Sequence, residues 1–465
     1  MYGLFNGLEI GKRALLSSQL AMTTLGHNMA NVNTPGYSRQ RVSITSATPV
    51  DTPWGNAGSG VEIKAIEQIR DLFLTDQYRN ENANLGRWEG LEKSISQIEG
   101  FFNEPQENSL GESLDRFWSA WQELANRPED HASRVSLVQE AQSLENNFHQ
   151  LDKQLRDLRQ NTDNDIKNLV HTLNQYGAQI ANLNLQITYQ ELGSEKANDL
   201  RDQRDLLIDE LSQYVDVKIV ERSNGQSAVL IGAMAFVDGA EFLEIGTDIK
   251  SEENTTTTKV IWASTDVEIK FSNGQMASLF QMRDQIIPEY QRAIDNLAQG
   301  IVENVNSVHR NGIDMDGVTG RDFFDPQYTD AEHISLDVAI LENADHIAAS
   351  LSGGPGDGSN ALAVAEILSQ SRVMQDGSTT IREFYGSIVG GLGIESMEAT
   401  NYKDNYGLLV RQIENQRQSV QGVSLDEEMT NLVRFQNAYE AAARVITAMD
   451  QALDTLINGT GVVGR

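Results

Sequence analysis

Apolar residues recur along most of this chain three and four positions apart, and in one central block at every second position. The first pattern predicts amphipathic helices and the second predicts strands. Near the C-terminus, Leu425, Met429, Leu432, Gln436, Tyr439, Ala443, Ile446, Asp450, Leu453 and Ile457 keep strict 4-3 spacing. That is a coiled-coil seam with two polar positions. Phe435, Ala442, Met449 and Leu456 form a second stripe beside it, so the apolar face is broader than one partner needs. Ser424 followed by Glu427 predicts a capping box at the start of this helix. The N-terminus carries a matching seam: Leu8, Leu15, Met22 and Met29 recur every seven residues, with Gly11, Ser18, Leu25 and Val32 at the intervening positions. The small residues there admit a close partner. The two ends are expected to pair.

Between them lie more helices. Trp88, Leu91, Ile95 and Ile98 mark one, and Leu110, Leu114, Phe117, Trp118 and Trp121 another. The tryptophans fit a packed core better than a ligand box, because they fall on helical stripes. Leu137 to Leu158 and Ile166 to Ile187 carry two long heptad seams, separated by Asn161, Thr162 and Asp163. Those three either turn the chain into an antiparallel hairpin or sit within one long bent helix. A shorter helix spans about 196–214. Val215–Val220 and Val267–Phe271 alternate, and Asn224-Gly225, Asp238-Gly239 and Asn273-Gly274 are hairpin-turn signals. Thr255–Thr258 reads as an exposed loop tip. The helical pattern resumes at Ile286–Val308, followed by a strand expected at Ile334–Ile340. Gly353 to Gly358 forms a flexible connector, and Tyr402, Tyr406, Leu409, Ile413 and Val420 mark the penultimate helix.

The expected fold is mainly α with a small β insertion: long coiled-coil-like helices, paired N- and C-terminal helices and an inserted antiparallel β domain. The predicted division is an N-terminal assembly helix 1–40, an extended connector 41–84, a helical domain 85–214, a β insertion 215–275, the second part of the helical domain 276–423 and a C-terminal assembly helix 424–465. The helical pattern after the connector starts at Leu85, and Pro49, Pro53, Gly55, Gly58 and Gly60 mark 45–60 as irregular.

Charge sharpens the picture. The net charge of −31 argues against nucleic acid and against anionic membrane surfaces. Within this acidic chain, Lys12, Arg13, Arg39 and Arg41 face Glu9 alone at the N-terminal end, whereas acids outnumber bases over 424–465. Opposite signs favour pairing of the two ends. There is no cysteine, so neither disulfides nor thiolate metal sites arise. No cleavable signal peptide and no membrane-spanning run is expected.

Chemistry-bearing motifs fail on inspection. Asp314-Met315-Asp316-Gly317 opens like a calcium loop, but Val318 and Thr319 occupy positions that need a ligand and a glycine. Gly390-Gly391-Leu392-Gly393 lacks the lysine of a phosphate loop. No paired metal-binding histidines and no nucleophile elbow occur. Asn254-Thr255-Thr256 is a formal glycosylation sequon. His27, beside the seam, fits a helix-end hydrogen bonder better than a ligand. No cofactor or metal is expected.

Ala30, Asn31, Thr34, Gly36 and Tyr37 stand as Ala-Asn-x-x-Thr-x-Gly-Tyr after the first helix. This resembles the signature of bacterial flagellar axial proteins. The run Leu432–Ile446 resembles the first hook-associated protein family; rod and hook subunits usually carry Asn where Ala442 stands and Lys where Arg444 stands. Gly58-Ser59-Gly60-Val61 with Ile66, Arg70 and Asp71 is also similar to that family. So is His309-Arg310-x-Gly312-x-Asp314 with Gly317, Gly320, Phe323 and Phe324.

The resemblance implies a non-enzymatic structural subunit that joins hook to filament. It implies a homo-oligomeric ring, the hook protein and the next junction protein as neighbours, and an export chaperone on the C-terminal helix. It further implies an extracellular place on the flagellum, reached through the flagellar export apparatus without a cleaved signal. The expected subunit interface is Leu8, Leu15, Met22, Leu25, Met29, Leu425, Met429, Leu432, Phe435, Tyr439, Ala443, Ile446, Met449, Leu453 and Ile457. A hook or rod subunit is the nearer alternative, and a secreted acidic adhesin or enzyme on a helical stalk the more distant one.

Overall fold

The computed structural model describes residues 2–52, 55–106, 109–193, 195–222, 225–252, 255–369 and 379–459. Asn224, of the first predicted turn, and Asn254, of the sequon, lie outside them. The chain starts with helix α1 (Tyr2–Ala30) and a long antiparallel hairpin, β1 (Gln40–Ser46) on β4 (Val61–Gln68). Between these strands β2 (Val50–Thr52) pairs with β3 (Gly55–Ala57). The stretch is therefore not an extended connector. Helix α2 (Leu72–Phe102) also begins before the predicted Leu85, because the Asp71 carboxylate caps it by accepting from the amides of Phe73 and Leu74. Its first turn, Leu72-Phe73-Leu74, is apolar without helical spacing, and the polar run Arg79–Glu81 follows, so the stretch hides from a periodicity count.

After α3 (Leu110–Asn126) comes α4 (His131–Gln190), one unbroken helix of 60 residues. Asn161, Thr162 and Asp163 lie inside it, so the two heptad seams are one helix and the hairpin alternative is excluded. A turn leads to α5 (Asn198–Tyr214). The β insertion follows: β5 (Val217–Glu221), β6 (Ser227–Ile231), β7 (Met234–Asp238) and β8 (Glu241–Phe242) form an antiparallel sheet in that order. β9 (Ile245–Glu252) and β10 (Thr255–Trp262) form a separate two-stranded ribbon. Thr255–Thr258 is thus strand rather than loop tip, and Val267–Phe271 contributes an isolated bridge, Glu268 to Ile261, rather than a strand. Asn273-Gly274 is not a hairpin turn. Gly274, at φ +82°, opens α6 (Gly274–Gln281), and a Cβ there would stand 2.5 Å from the carbonyl oxygen of Tyr214.

A π-helical turn, Met282–Ile286, joins α6 to α7 (Ile287–His309). Where a strand was expected at Ile334–Ile340, Leu336 makes one bridge to Phe324 and α8 (Val338–Glu342) follows. Then come α9 (Ser359–Glu366), α10 (Ile381–Gln421) and α11 (Leu425–Asp454), the last ending in a π-helical turn.

The fold is mainly α with small sheets, as the pattern predicts. Its apolar interior falls into two cores. The first joins the C-terminal half of α2, α3, the first half of α4, α7, α9 and the start of α10. Trp118 and Trp121 are fully buried there against Phe117 and Phe323, as packing residues. The second core joins the later half of α4, α5, α6 and the inner faces of the strands. The motif at 309–324 is a knot in the first core. Asn360 Nδ2 would lie 2.1 Å from a Cβ on Gly312, Gly317 and Gly320 adopt φ +80° and +83°, and Phe323 and Phe324 are fully buried. Asp314 serves its own turn, accepting from the amides of Asp316 and Val318 and from Arg321.

Candidate assembly site

The two terminal helices pair antiparallel, and the closest approach is set by glycine. A Cβ on Gly7 would lie 2.9 Å from Met449 Cε, and one on Gly11 would lie 2.8 Å from Ile446 Cγ1. Among the described side chains of α1, Gly11, Ser17, Ser18, Ala21, Thr24, Leu25 and Asn28 are buried. The inward line therefore runs through the small residues. Leu8, Leu15, Met22 and Met29 flank it and are half-buried.

On α11 the fully buried positions are Glu428 and Ala442, two heptads apart, on the line that also holds Phe435 and Met449. Leu432, Tyr439, Ile446 and Leu453 complete a 4-3 seam with that line, and all are half-buried, as is Ala443. Leu425 stays exposed, and so do Met429, Gln436, Asp450 and Ile457, which share a line with Ala443. The predicted seam is thus rotated. Turning the line that contains Gln436 and Asp450 inward would desolvate two polar groups without partners. The stripe with Phe435, Ala442 and Met449 avoids that cost.

Below this pair the Ala-Asn-x-x-Thr-x-Gly-Tyr motif folds into a tight exit from α1. Thr34 Oγ1 donates to Asn31 Oδ1 at 3.0 Å, and Asn31 Nδ2 donates to the His27 carbonyl at 3.0 Å. Gly36, at φ +75°, lies where a Cβ would meet Leu206 Cβ at 3.1 Å. Ala30 and Thr34 remain exposed. Tyr37 is the reaching member: its hydroxyl donates to Asn28 Oδ1 at 2.8 Å, and its ring meets His27 edge-on. Burial, with the charges of Asp199 and Asp202, pushes the Tyr37 phenol well above its ordinary range, so it stays a neutral donor.

Asn28 is the centre of the site, although no periodicity or motif marks it. It is fully buried and all its hydrogen-bonding capacity is used. Its Oδ1 accepts from Tyr37 and from the Gln40 amide, and its Nδ2 donates to the Gln40 carbonyl and to Glu428 Oε2, both at 2.9 Å. Arg39 closes the cluster, with Nε 2.7 Å from the other oxygen of the fully buried Glu428 and Nη1 2.8 Å from Glu427. This is why the predicted capping box does not form: Ser424 makes no side-chain cap, and Glu427 is turned toward Arg39 instead.

A second cluster anchors this end to the body. Asp199, Asp202, Asp205 and Asp209 fall on one face of α5. Asp202 accepts from the Ser38 amide and Gln68; Asp205 pairs with Arg70; Asp209 meets Arg79 at 2.7 Å and Arg417 at 2.5 Å. Arg70, Arg79 and Arg417 come from the end of the hairpin, α2 and α10, so α5 is a carboxylate rail holding three separate elements. Burial pushes Asp205 up, but Arg70, Arg204 and Arg79 outweigh it and leave its pKa below the usual range. Asp202 lacks such a surplus, and burial raises it to about 7. No local pattern could have found these pairs, because each joins residues more than a hundred positions apart.

Among the described residues, the one group of metal-ligand types within 4.8 Å is Asp330, Glu332 and His333. It lies at the surface, and its members already bond one another and Arg156.

The family model described as the flagellar hook-associated protein FlgK helical domain matches residues 95–324. That of the flagellar basal body rod FlgEFG protein C-terminal matches 414–459. The flagellar hook-associated protein 1 of Bacillus subtilis (strain 168) is 32% identical over the full length of both chains. The protein of the same name from Escherichia coli (strain K12) is 25% identical, over 98% of this chain and all of its own. The solved flagellar hook junction protein FlgK from Burkholderia pseudomallei shares the fold, with a TM-score of 0.66 at 16% identity, over 74% of this chain and all of that one.

Proposed function

The chain belongs to the flagellar hook-associated protein 1 family, and on that footing we propose that it polymerises through its paired terminal helices. It is a structural subunit of the hook–filament junction of the bacterial flagellum. The observation that carries the proposed mode of assembly is the face α11 leaves uncovered. Leu425, Met429 and Val433, each four residues from the next on one flank of α11, are all more than two-fifths exposed, on a helix whose partner, α1, itself exposes Phe5 and Leu16. Exposed apolar side chains grouped on one flank of a helix mark a protein contact. The exposed line of α11 then meets neighbouring copies in a ring, while Leu8, Leu15, Met22 and Met29 form the edge of the same interface on α1.

The further reading is that the ring sits between the hook protein and the next junction protein. Export proceeds through the flagellum's own apparatus without a cleaved signal, a chaperone covers α11 on the way, and the finished place is extracellular. The chain acts as scaffold, not as enzyme. A rod or hook subunit would share the C-terminal module, but the buried Ala442 beside Gly11 favours the junction protein. The asparagine usual in rod and hook subunits would bury an amide there.

Met429→Asp tests the reading. The side chain is 57% exposed, so the isolated chain should keep its melting temperature within about 2 °C, since surface changes stay within about 0.5 kcal/mol. Incorporation into flagella of a strain lacking the native protein should fail. Normal filaments built on that variant would overturn the proposed interface.

A further inference from the structure

Between the two cores the molecule has a polar waist. Every residue of α4 between Leu158 and Ile166 is polar, so the long helix passes from one core to the other without an apolar side chain. The chain crosses again from α6 to α7, through the π-helical turn Met282–Ile286, while α2 and α10 flank the same level. A π turn carries a surplus residue in its hydrogen-bond ladder and is a common site of helix bending. Beside both crossings lies a groove of about 740 Å³, lined by Asp152, Arg159, Asp163, Thr257, Arg283 and Arg292 among others. Room on one side, a π turn in one helix and a polar run in the other favour bending at this level.

Besides α2 and α10, which run from the first core to α5, one cluster at the crossing itself opposes that freedom. Asp163, in the polar run of α4, accepts from the Thr258 amide at 2.8 Å and the Thr258 hydroxyl at 2.7 Å. Arg283, in the π turn, donates to Asp163 Oδ1 at 2.8 Å and to the Thr258 carbonyl at 2.6 Å. Lys167 lies 2.9 Å from Asp163 Oδ2. The carboxylate and the guanidinium are both buried, and together they tie α4, the π turn and strand β10 at one point.

We propose that Asp163, Arg283 and Thr258 form a clasp that locks a flexural joint between the helical unit and the β-bearing unit. With the clasp closed the two units hold one orientation. With it open they bend about the waist, and the groove widens or narrows. The clasp does not respond to pH in the ordinary range, because the donors around Asp163 outweigh burial and hold its carboxyl down at about 2. Release therefore comes from mechanical load or from a neighbour's competing donor. The inference stands on the geometry of one chain and does not depend on how the terminal helices assemble.

The chain contains no cysteine, so two can be introduced as unique label sites. Asn296→Cys on α7 and Lys218→Cys on β5 place spin labels on exposed positions in the two units. The parent pair should give one narrow distance distribution by double electron–electron resonance. Asp163→Asn should at least double its width, Arg283→Gln should do the same, and Thr258→Val should broaden it less. Circular dichroism and melting of each variant report folding. Widths unchanged in Asp163→Asn and Arg283→Gln would overturn the proposal. So would loss of the fold in all three variants, since the cluster would then be core rather than clasp.

Discussion

A Cβ on Gly11 would stand 2.8 Å from Cγ1 of Ile446, so the first and last helices touch where one of them has no side chain. This contact fixes how far apart the terminal pair can sit. Gly11→Leu should splay the pair, at the roughly 1–3 kcal/mol of an overpacked contact, although leucine is the better helix former. Ile446→Ala should recover much of that loss in the double variant, with a coupling energy of about 1–3 kcal/mol. Amide exchange within α1 and α11 measures both. Additive effects would show that the two residues do not meet in solution.

Asn28→Ala should loosen the whole motif. It removes the partners of Tyr37, the Gln40 amide and Glu428 at once, and each buried group left unpaired costs about 1–3 kcal/mol. Exchange in α1 and the first turns of α11 should accelerate by about 100-fold, the equivalent of roughly 2.7 kcal/mol, while the first core stays protected. Asn31→Ala removes local bonds only and should have a small effect. Equal effects of the two would refute the central place given to Asn28.

His309 should make the helical body acid-sensitive. Its Nδ1 lies 2.9 Å from the Arg321 carbonyl and its Nε2 2.9 Å from the Ala348 amide nitrogen, which fits the neutral ring protonated on Nδ1. Burial pushes its pKa down to about 4. The unfolded chain therefore binds the proton first, and stability falls as pH drops from about 6.5 to about 4, by up to about 3 kcal/mol. Melting curves of the wild type and His309→Asn across that range should diverge, the variant losing this part of the slope.

Asp202 should act in the opposite direction. Burial raises its carboxyl to about 7, so the folded chain holds the proton longer than the unfolded one. Stability then falls as pH rises from about 4 to about 7. Asp202→Asn should flatten that part of the profile, read as the difference between two melting series. The accompanying loss of protection should centre on Ser38 and Gln68, its two hydrogen-bond partners.

Periodicity was a good guide wherever burial is one-sided and local. The heptads of α4, the stripe of Leu114, Trp118 and Trp121 and the alternation of Val217–Val220 all mark buried faces. It failed where partners come from afar. The seam of α11 is turned because Gln436 and Asp450 prefer water, and Ser424 does not cap because Arg39 takes Glu427. Gly274 looked like a hairpin turn because positive φ opens a helix as readily as it closes a hairpin. The rail of Asp202, Asp205 and Asp209 was invisible for a simpler reason: an acidic helix face reads as solvated until Arg70, Arg79 and Arg417 are placed upon it. The motif at 30–37 was recognised as a signature, yet its meaning lies in Asn28 and Glu428, one outside its bounds and one on the far helix.

Asn28 and Glu428 are separated by 400 residues. During synthesis the first helix and the hairpin behind it must wait, without their lasting partner, until 400 further residues have been made. Any factor that intercepts the closing segment keeps the opening segment unmatched as well. A single act of concealment at one end of the polypeptide thus postpones maturation at both.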